Sequence, residues 1–156
     1  MTTNEPSTSR VSCTHCGAVN RVPSARLGDR PICGRCKWAL FGAAPIELDE
    51  AGFERFLRDN DLPVLVDFWA PWCAPCRQMA PGFHAAASKL EPAMRLVKLN
   101  TEDNPGIAAR LNIRSIPTLA VFSQGREVSR QSGALPVPHI LQFATQSLAP
   151  ARRGSA

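Results

Sequence analysis

The stretch DFWAPWCAPCR, residues 67–77, decides the fold. It continues an apolar run over residues 64–70 that only Asp67 interrupts, and such a run is typical of a strand covered on both faces of a sheet. A helix is predicted over residues 75–90. Pro75 fits its first turn, because the N–H that proline lacks would be unpaired there in any case. The strand, the turn and the helix therefore meet at the two cysteines of this stretch.

This position favours redox chemistry at Cys73 and Cys76. Unpaired N–H groups and the helix dipole stabilise a thiolate at a helix N-terminus, so the pKa of Cys73 is expected to lie below that of a free thiol. Cys76 lies one helical turn further on, close enough to form a disulfide with Cys73. One sulfur attacks and the other resolves. A structural or metal-binding pair is the alternative, which Trp72, Pro75 and the apolar strand disfavour.

Asp67 is a candidate general base. A carboxylate that is ionised and unpaired inside an apolar strand costs several kcal/mol, so its pKa is expected to be raised. A pKa near neutrality suits proton transfer at physiological pH. An ordinary exposed strand residue is the alternative, and the apolar neighbours on both sides disfavour it.

Strand-like and helix-like patterns alternate after residue 45. Strands are predicted at 46–48, 64–70, 94–99, 118–123 and 127–131, and helices at 49–60, 75–90, 105–111 and 138–148. This order predicts an α/β fold in which helices cover both faces of a mixed sheet.

Four further cysteines lie near the start of the chain as two CxxC pairs, separated by sixteen residues. The candidate metal ligands are Cys13, Cys16, Cys33 and Cys36. Their spacing is typical of zinc ribbons, and residues 11–41 have too few aliphatic side chains to fold by packing alone. Zinc binding, worth about 10 to 16 kcal/mol, would stabilise such a segment. One zinc ion with four cysteine ligands is predicted, and iron is the alternative metal.

The predicted organisation has four segments. A flexible leader covers 1–10, a zinc-ribbon module 11–41, the α/β domain 45–149 and a flexible tail 150–156. The sequence GAAP at 42–45 indicates a linker. Within the ribbon, His15 is expected to be a solvated turn residue, and Trp38 and Phe41 are expected to pack against the larger domain.

Composition limits the remaining possibilities. The chain has 156 residues, 44% hydrophobic and 20% charged, which excludes a large multidomain enzyme and a wholly disordered chain. No apolar segment approaches the roughly 18 residues of a membrane span, and the start MTTNEPSTSR lacks a secretory signal, so the cytoplasm is the expected location. Most of the net charge of +5 lies before residue 46, where four zinc-bound thiolates would offset about half of it, so nucleic-acid binding is not expected.

Residues 45–149 resemble thioredoxin. The motifs WCAPC, DFWAP and IRSIPTLAVF, the KLN at Lys98 and the SGA at Gly133 occur in the order that the family has. A four-cysteine module joined to such a domain is similar to the bacterial thioredoxin-2 type, and this likeness covers nearly the whole chain. The resemblance implies a thioredoxin fold with a small N-terminal zinc ribbon. It also implies a protein-disulfide reductase that acts through dithiol-disulfide exchange.

The resemblance further implies roles for single residues. Cys73 is similar to the attacking thiolate and Cys76 to the resolving thiol. Asp67 resembles the buried carboxylate that takes the proton of the resolving cysteine, and Lys98 the nearby ammonium. Pro117 resembles a cis-proline that packs against the disulfide. The implied substrate-binding residues are Trp72, Ala74, Pro75, Ile116, Pro117, Gly133 and Ala134.

The partners implied are disulfide-containing protein substrates and an NADPH-dependent, flavin-containing thioredoxin reductase. No Gly-rich dinucleotide motif follows a strand, so bound nicotinamide or flavin is not expected, and no membrane partner is expected. Three alternatives stay open. They are a zinc-ribbon adaptor for nucleic acid or protein on a thioredoxin scaffold, a chaperone whose oxidation ejects zinc, and a net oxidant or isomerase, which the missing export signal disfavours.

Overall fold

The computed structural model describes residues 7–148. A small antiparallel sheet contains β1 (Thr8–Ser12) and β2 (Val19–Pro23). The larger sheet contains β3 (Ile46–Glu47), β4 (Val64–Trp69), β5 (Arg95–Asn100), β6 (Thr118–Ser123) and β7 (Arg126–Ser132). The helices are α1 (Glu50–Asp59), α2 (Ala74–Leu90), α3 (Pro105–Arg110) and α4 (Val137–Ser147). Most of the predicted leader, residue 149 and the predicted tail at 150–156 lie outside the described residues.

The larger sheet has the strand order β3-β5-β4-β6-β7. Its central strand β4 runs parallel to β5 and antiparallel to β6. Alternate residues of a strand face opposite sides, so Leu65 packs beneath α2 and α4, whereas Val66 and Phe68 pack beneath α1 and α3. The predicted mixed α/β sheet with helices on both faces is confirmed.

Local sequence explains where the helices begin and what they bury. The Asp49 side chain caps α1 by accepting a hydrogen bond from the Gly52 N–H at 2.7 Å. The apolar face of α1 buries Phe53 and Phe56, as the helical spacing predicts. Helix α2 begins directly after Cys73, which is its N-cap residue.

The small sheet extends further toward the N-terminus than the sequence predicts. Strand β1 begins at Thr8, inside the segment 1–10 that was expected to be a flexible leader. It is held there because Thr8 pairs with β2 and because Arg10 is bonded to Asp61 of the larger domain. The backbone N–H of Arg10 donates to Asp61 at 2.7 Å, and its guanidinium forms an ion pair with the same carboxylate at 2.9 Å.

The expectation for Trp38 is wrong, because its side chain is not buried between the ribbon and the larger domain. The side chain is 57% exposed, and its ring is stacked on that of His15, with centroids 3.7 Å apart. The indole therefore covers the neighbouring CxxC turn of the ribbon. Phe41, in contrast, packs against the ribbon core and lies beside Arg95 of the larger domain.

Arg95 connects the ribbon to the larger domain. It is the first residue of β5 and only 1% exposed. Its Nη1 donates to the carbonyl oxygen of Ser12 at 3.3 Å, and its Nη2 donates to that of Leu40 at 3.2 Å. The guanidinium carbon lies 5.0 Å from the ring centroid of Phe41 and 5.2 Å from that of Phe56. A buried cation is thus surrounded by carbonyl oxygens and aromatic rings.

The charge of this guanidinium persists at neutral pH. Burial lowers the pKa of Arg95 to about 10, while the nearby Glu91 raises it. Glu91 also holds the segment between the two parts of the chain, because its Oε1 accepts a hydrogen bond from the Ala43 N–H at 2.8 Å. In addition, Leu62 of the larger domain packs into the apolar core of the ribbon. The ribbon and the larger domain therefore share buried contacts.

We predict that Arg95→Ala lowers the free energy of unfolding by about 3 kcal/mol or more, because it leaves two buried carbonyl oxygens unpaired and opens a cavity. Urea denaturation of the full chain in the presence of zinc measures the change. Arg126→Ala on β7, where the arginine is exposed, is the matched control and should alter stability by less than about 0.5 kcal/mol. Equal midpoints for the two variants would refute a connecting role for Arg95.

Candidate redox-active site and metal centre

Cys73 and Cys76 lie where β4 passes into α2, and they form a disulfide with Cα atoms 5.2 Å apart. The Sγ of Cys73 accepts a hydrogen bond from the Cys76 N–H at 3.2 Å. The turn before the helix is closed by the Cys73 N–H, which donates to the carbonyl oxygen of Ala70 at 3.2 Å. Both sulfur-bearing side chains are largely buried. The N–H group of Cys76, in the first turn of α2, is thus directed at the sulfur of Cys73.

A second loop faces this disulfide. The Sγ of Cys73 lies 3.8 Å from the carbonyl oxygen of Ile116, and the peptide bond between Ile116 and Pro117 is cis. The Gly133 N–H donates to the carbonyl oxygen of Pro117 at 2.9 Å and thereby joins the next loop to this one. Beside the disulfide, Trp72 is 67% exposed. The exposed surface around the disulfide is therefore partly apolar.

The other residues expected in the substrate groove lie close by in the chain. Ala74 and Pro75 form the first turn of α2 and are exposed. Ala134 follows Gly133 and is exposed as well. Their roles in binding are considered below, as proposals.

Asp67 is fully buried, and among the described residues neither of its carboxyl oxygens has a hydrogen-bond partner. Burial raises the pKa of Asp67 from 3.8 to about 7, with Lys98 acting to lower it and Glu47 to raise it. Lys98 is the register partner of Asp67 on β5. Its Nζ lies 4.3 Å from the centroid of the Trp69 ring. The site thus contains a buried carboxyl group that changes its charge near neutral pH.

The four remaining cysteines come together in the ribbon, with all Sγ atoms within 4.8 Å of one another. The Sγ atoms of Cys13 and Cys36 are 3.6 Å apart, as are those of Cys16 and Cys33. Around a tetrahedral zinc ion with Zn–S bonds of about 2.3 Å, the sulfur atoms are about 3.8 Å apart. The donor atoms and their separations therefore fit zinc.

Backbone hydrogen bonds further prepare the sulfur atoms for a cation. The N–H groups two and three residues after Cys13 donate to its Sγ at 3.3 and 3.5 Å, and the corresponding N–H groups after Cys33 do the same at 3.3 and 3.5 Å. The pKa of Cys33 is lowered to about 5, chiefly because the Cys36 N–H bonds to its sulfur, with Asn20 contributing. The pKa of Cys36 is raised, because the hydrogen bond from the Trp38 N–H, which lowers it, is outweighed by burial and the neighbouring thiols. Thiolates are the form that zinc binds.

Two residues near these sites were missed by the sequence analysis. Asn20 bridges the ribbon, since its Nδ2 lies 3.5 Å from the Sγ of Cys33 while its Oδ1 accepts from the Gly34 N–H at 2.8 Å. Glu47 accepts a hydrogen bond from the indole of Trp69. No local pattern marks Asn20. The position of Glu47 opposite Lys98 depends on strand register, which the sequence does not give.

Comparison with known proteins agrees with this geometry. A family model described as Thioredoxin matches residues 44–146. The chain belongs to the thioredoxin family. A second model, described as Thioredoxin 2, N-terminal, matches residues 12–38 of this thioredoxin. The chain is 46% identical over 138 residues to Thioredoxin C-3 of Corynebacterium nephridii. The aligned residues make up 88% of this chain and 94% of that protein. It is 51% identical over 90 residues to Thioredoxin of Porphyra purpurea, and these residues make up 58% of this chain and 84% of that protein.

These findings confirm the predicted family, fold and activity. The protein is a thioredoxin-type protein-disulfide oxidoreductase with an N-terminal segment of the zinc-ribbon family. Zinc binding is indicated by that family match together with the clustered cysteines. Between residues 7 and 148, no helix combines the length and the apolar character that crossing a membrane requires.

We predict that Asp67→Asn stabilises this thioredoxin in a pH-dependent manner. The folded protein holds the Asp67 proton up to about pH 7 and the unfolded chain only up to about pH 4, so wild-type stability declines between these values and the loss is complete above pH 7. Asparagine removes that loss. At pH 8 the variant should be more stable than the wild type by up to about 4 kcal/mol, and at pH 4 the two should be nearly equal.

Urea denaturation of the oxidised protein at pH 4, 6 and 8 provides the measurement. Asp29→Asn, at an exposed site of the ribbon, is the control and should show no such pH-dependent gain. A constant difference between Asp67→Asn and the wild type across this range would contradict the raised pKa.

Proposed function

We propose that Cys73 is the attacking thiolate and Cys76 the resolving thiol in the reduction of protein disulfides. The observation that carries this assignment is the position of Cys73 at the N-cap of α2, where the Cys76 N–H points at its sulfur. In the reduced protein these contacts favour the thiolate. The Cys73 thiolate attacks one sulfur of the substrate, a mixed disulfide forms, and the other substrate sulfur leaves as a thiolate that takes a proton from water.

The second step returns the attacking sulfur to a disulfide. Cys76 gives its proton to the Asp67 carboxylate, and its sulfur attacks that of Cys73, so that the Cys73–Cys76 bond forms as the mixed disulfide breaks. The substrate departs as a dithiol, and two electrons have passed to it from the enzyme. The burial of Asp67 and its pKa of about 7 support this role, because the group gains and loses a proton near neutral pH. Lys98 is proposed to stabilise the ionised carboxylate of Asp67 through its positive charge.

The proposed substrate groove lies around the disulfide. An extended substrate segment would pair with the backbone at Ile116, whose carbonyl oxygen is 3.8 Å from the Sγ of Cys73. The exposed indole of Trp72 and the cis-proline Pro117 would contact the same segment. The proposed remaining contacts are Ala74, Pro75, Gly133 and Ala134. The partly apolar surface around the disulfide supports binding of an extended segment.

We propose regeneration by an NADPH-dependent thioredoxin reductase in the cytoplasm. The exchange mechanism leaves Cys73 and Cys76 oxidised, so a reductant must restore them after every cycle. Four cysteines held for metal binding are compatible with a reducing compartment, where thiols are not lost to disulfides. The substrates proposed are disulfide-containing proteins.

We propose that one zinc ion is held by Cys13, Cys16, Cys33 and Cys36 in a structural role. Four protein ligands fill a tetrahedral shell and leave no open position for a substrate. Bound there, zinc would supply cross-linking between the two CxxC turns and no redox chemistry. A ribbon module over residues 11–41 and a thioredoxin domain over 45–149 are the corresponding proposed domains.

We predict that Cys76→Ser accumulates mixed disulfides on Cys73, because the attacking thiolate is intact and nothing resolves the adduct. Mass spectrometry after purification under non-reducing conditions identifies the captured substrates. The control is the double variant Cys73→Ser/Cys76→Ser, which should capture none and should not reduce insulin. Equal capture by both variants would overturn the assignment of the attacking sulfur.

We also predict one zinc ion and no iron in each chain, measured by elemental analysis of the purified protein. Cys33→Ser should lose most of the zinc, since it removes one thiolate and the hydrogen bonds directed at it. Cys73→Ser is the matched control and should retain the full amount. Iron in place of zinc, or full zinc retention in Cys33→Ser, would show that the proposed site is wrong.

A further inference from the structure

Three charged residues lie in a row across three adjacent strands of the larger sheet. The register pairs Glu47 of β3 with Lys98 of β5, and Lys98 with Asp67 of β4. Cross-strand partners project from the same face of a sheet, so the three side chains share one face, with Lys98 on the strand between those of the two acids. Asp67 is fully buried at one end of the row, and Glu47 is exposed to solvent at the other.

Trp69 links the outer end of this row to its middle. It follows Asp67 by two residues on β4 and therefore faces the same side of the sheet. Its indole N–H donates to the Oε2 of Glu47 at 3.2 Å, and its ring lies 4.3 Å from the Nζ of Lys98. The hydrogen bond to Glu47 thus holds the ring against which the Lys98 ammonium rests.

We propose that Glu47 is a positioning residue for proton transfer at the resolving cysteine. It competes with Asp67 for Lys98, both by its own charge and by fixing Trp69, and so keeps the ammonium from pairing fully with the buried carboxyl group. Asp67 consequently keeps its proton to a higher pH than it would beside an undivided cation. This inference rests on the proposed role of Asp67 as proton acceptor.

The electrostatic environment agrees with the geometry. Lys98 lowers the pKa of Asp67 and Glu47 raises it, both acting against the background of a larger effect of burial. Burial also raises the pKa of Glu47 itself, against the hydrogen bond from Trp69 and the charge of Lys98, which lower it, and Asp103 adds to the increase. Both acids are therefore coupled to the same ammonium.

Other ionisable groups lie near this row. From α2, Arg77 and His84 line a cavity of about 420 Å³ together with Lys98. From the loop after β5, Asp103 contributes to the field at Glu47. Their fields are unchanged when Glu47 alone is replaced, so the comparison of variants isolates the effect of Glu47.

The test is Glu47→Gln in the full-length protein. Its amide oxygen can still accept the hydrogen bond from Trp69, so the substitution removes the charge and retains the contact. The carboxyl carbon of Asp67 is titrated by NMR in the oxidised protein, with ¹³C-labelled aspartate. We expect its midpoint to move downward by about half a pH unit. Glu102→Gln removes the same charge from an exposed position and should leave the midpoint in place. A midpoint in Glu47→Gln equal to that in Glu102→Gln would overturn the proposal.

A second pair of variants tests the route through Lys98. In a Lys98→Met background, Glu47→Gln should move the Asp67 midpoint by less than in the wild type, because the shared cation is gone and only the direct effect of the Glu47 charge on Asp67 remains. An undiminished shift in that background would overturn the competition for Lys98. The kinetic counterpart is the pH dependence of mixed-disulfide resolution, whose midpoint should fall together with the NMR midpoint in Glu47→Gln.

Asp67→Asn separates failure of this inference from failure of the proposed function. If Asp67→Asn resolves mixed disulfides with the wild-type pH dependence, Asp67 is not the proton acceptor, and the positioning role of Glu47 for that step falls with it. If Asp67→Asn loses that dependence while Glu47→Gln leaves both midpoints unchanged, the proposed function stands and the role of Glu47 is refuted.

Discussion

The burial of β4 is the constraint on which the redox site depends. This strand is paired on both edges and covered by helices on both faces, so its direction and its register with the neighbouring strands are fixed. It carries Asp67 in its interior and delivers Cys73 to the start of α2 immediately after its end. The same burial that gives the strand its rigidity raises the pKa of Asp67. Scaffold stability and acid-base chemistry therefore have one physical origin.

Much of this arrangement could be predicted from the sequence, because its causes are local. The apolar run around Asp67 specified both a covered strand and a perturbed carboxyl group, and the CxxC following it specified the start of a helix. The spacing of the four ribbon cysteines predicted a metal site. Each of these features is encoded within about twenty-five residues, where periodicity and spacing are informative.

What the sequence could not give depends on contacts between distant segments. Glu47 gains its place opposite Lys98 from the pairing of β3 with β5, and only the folded sheet sets that register. Trp38 was assigned to the wrong neighbour, because an exposed stack on His15 and a buried domain contact have the same local sequence signal. Nothing in the local sequence marks Arg95 as buried, and the carbonyl oxygens that accept its hydrogen bonds belong to the distant ribbon.

The way Arg95 is buried bears on how such two-part chains can arise by recombination. Its guanidinium is solvated by carbonyl groups of the ribbon, and those carbonyls have the guanidinium as a partner. A ribbon transplanted onto a related domain with an aliphatic residue at this position would lose a donor for both oxygens. Conversely, a domain that kept the arginine but lost the ribbon would expose the cation and the ring of Phe56 to water. Exchange of either part therefore has to preserve the contacts of this single side chain.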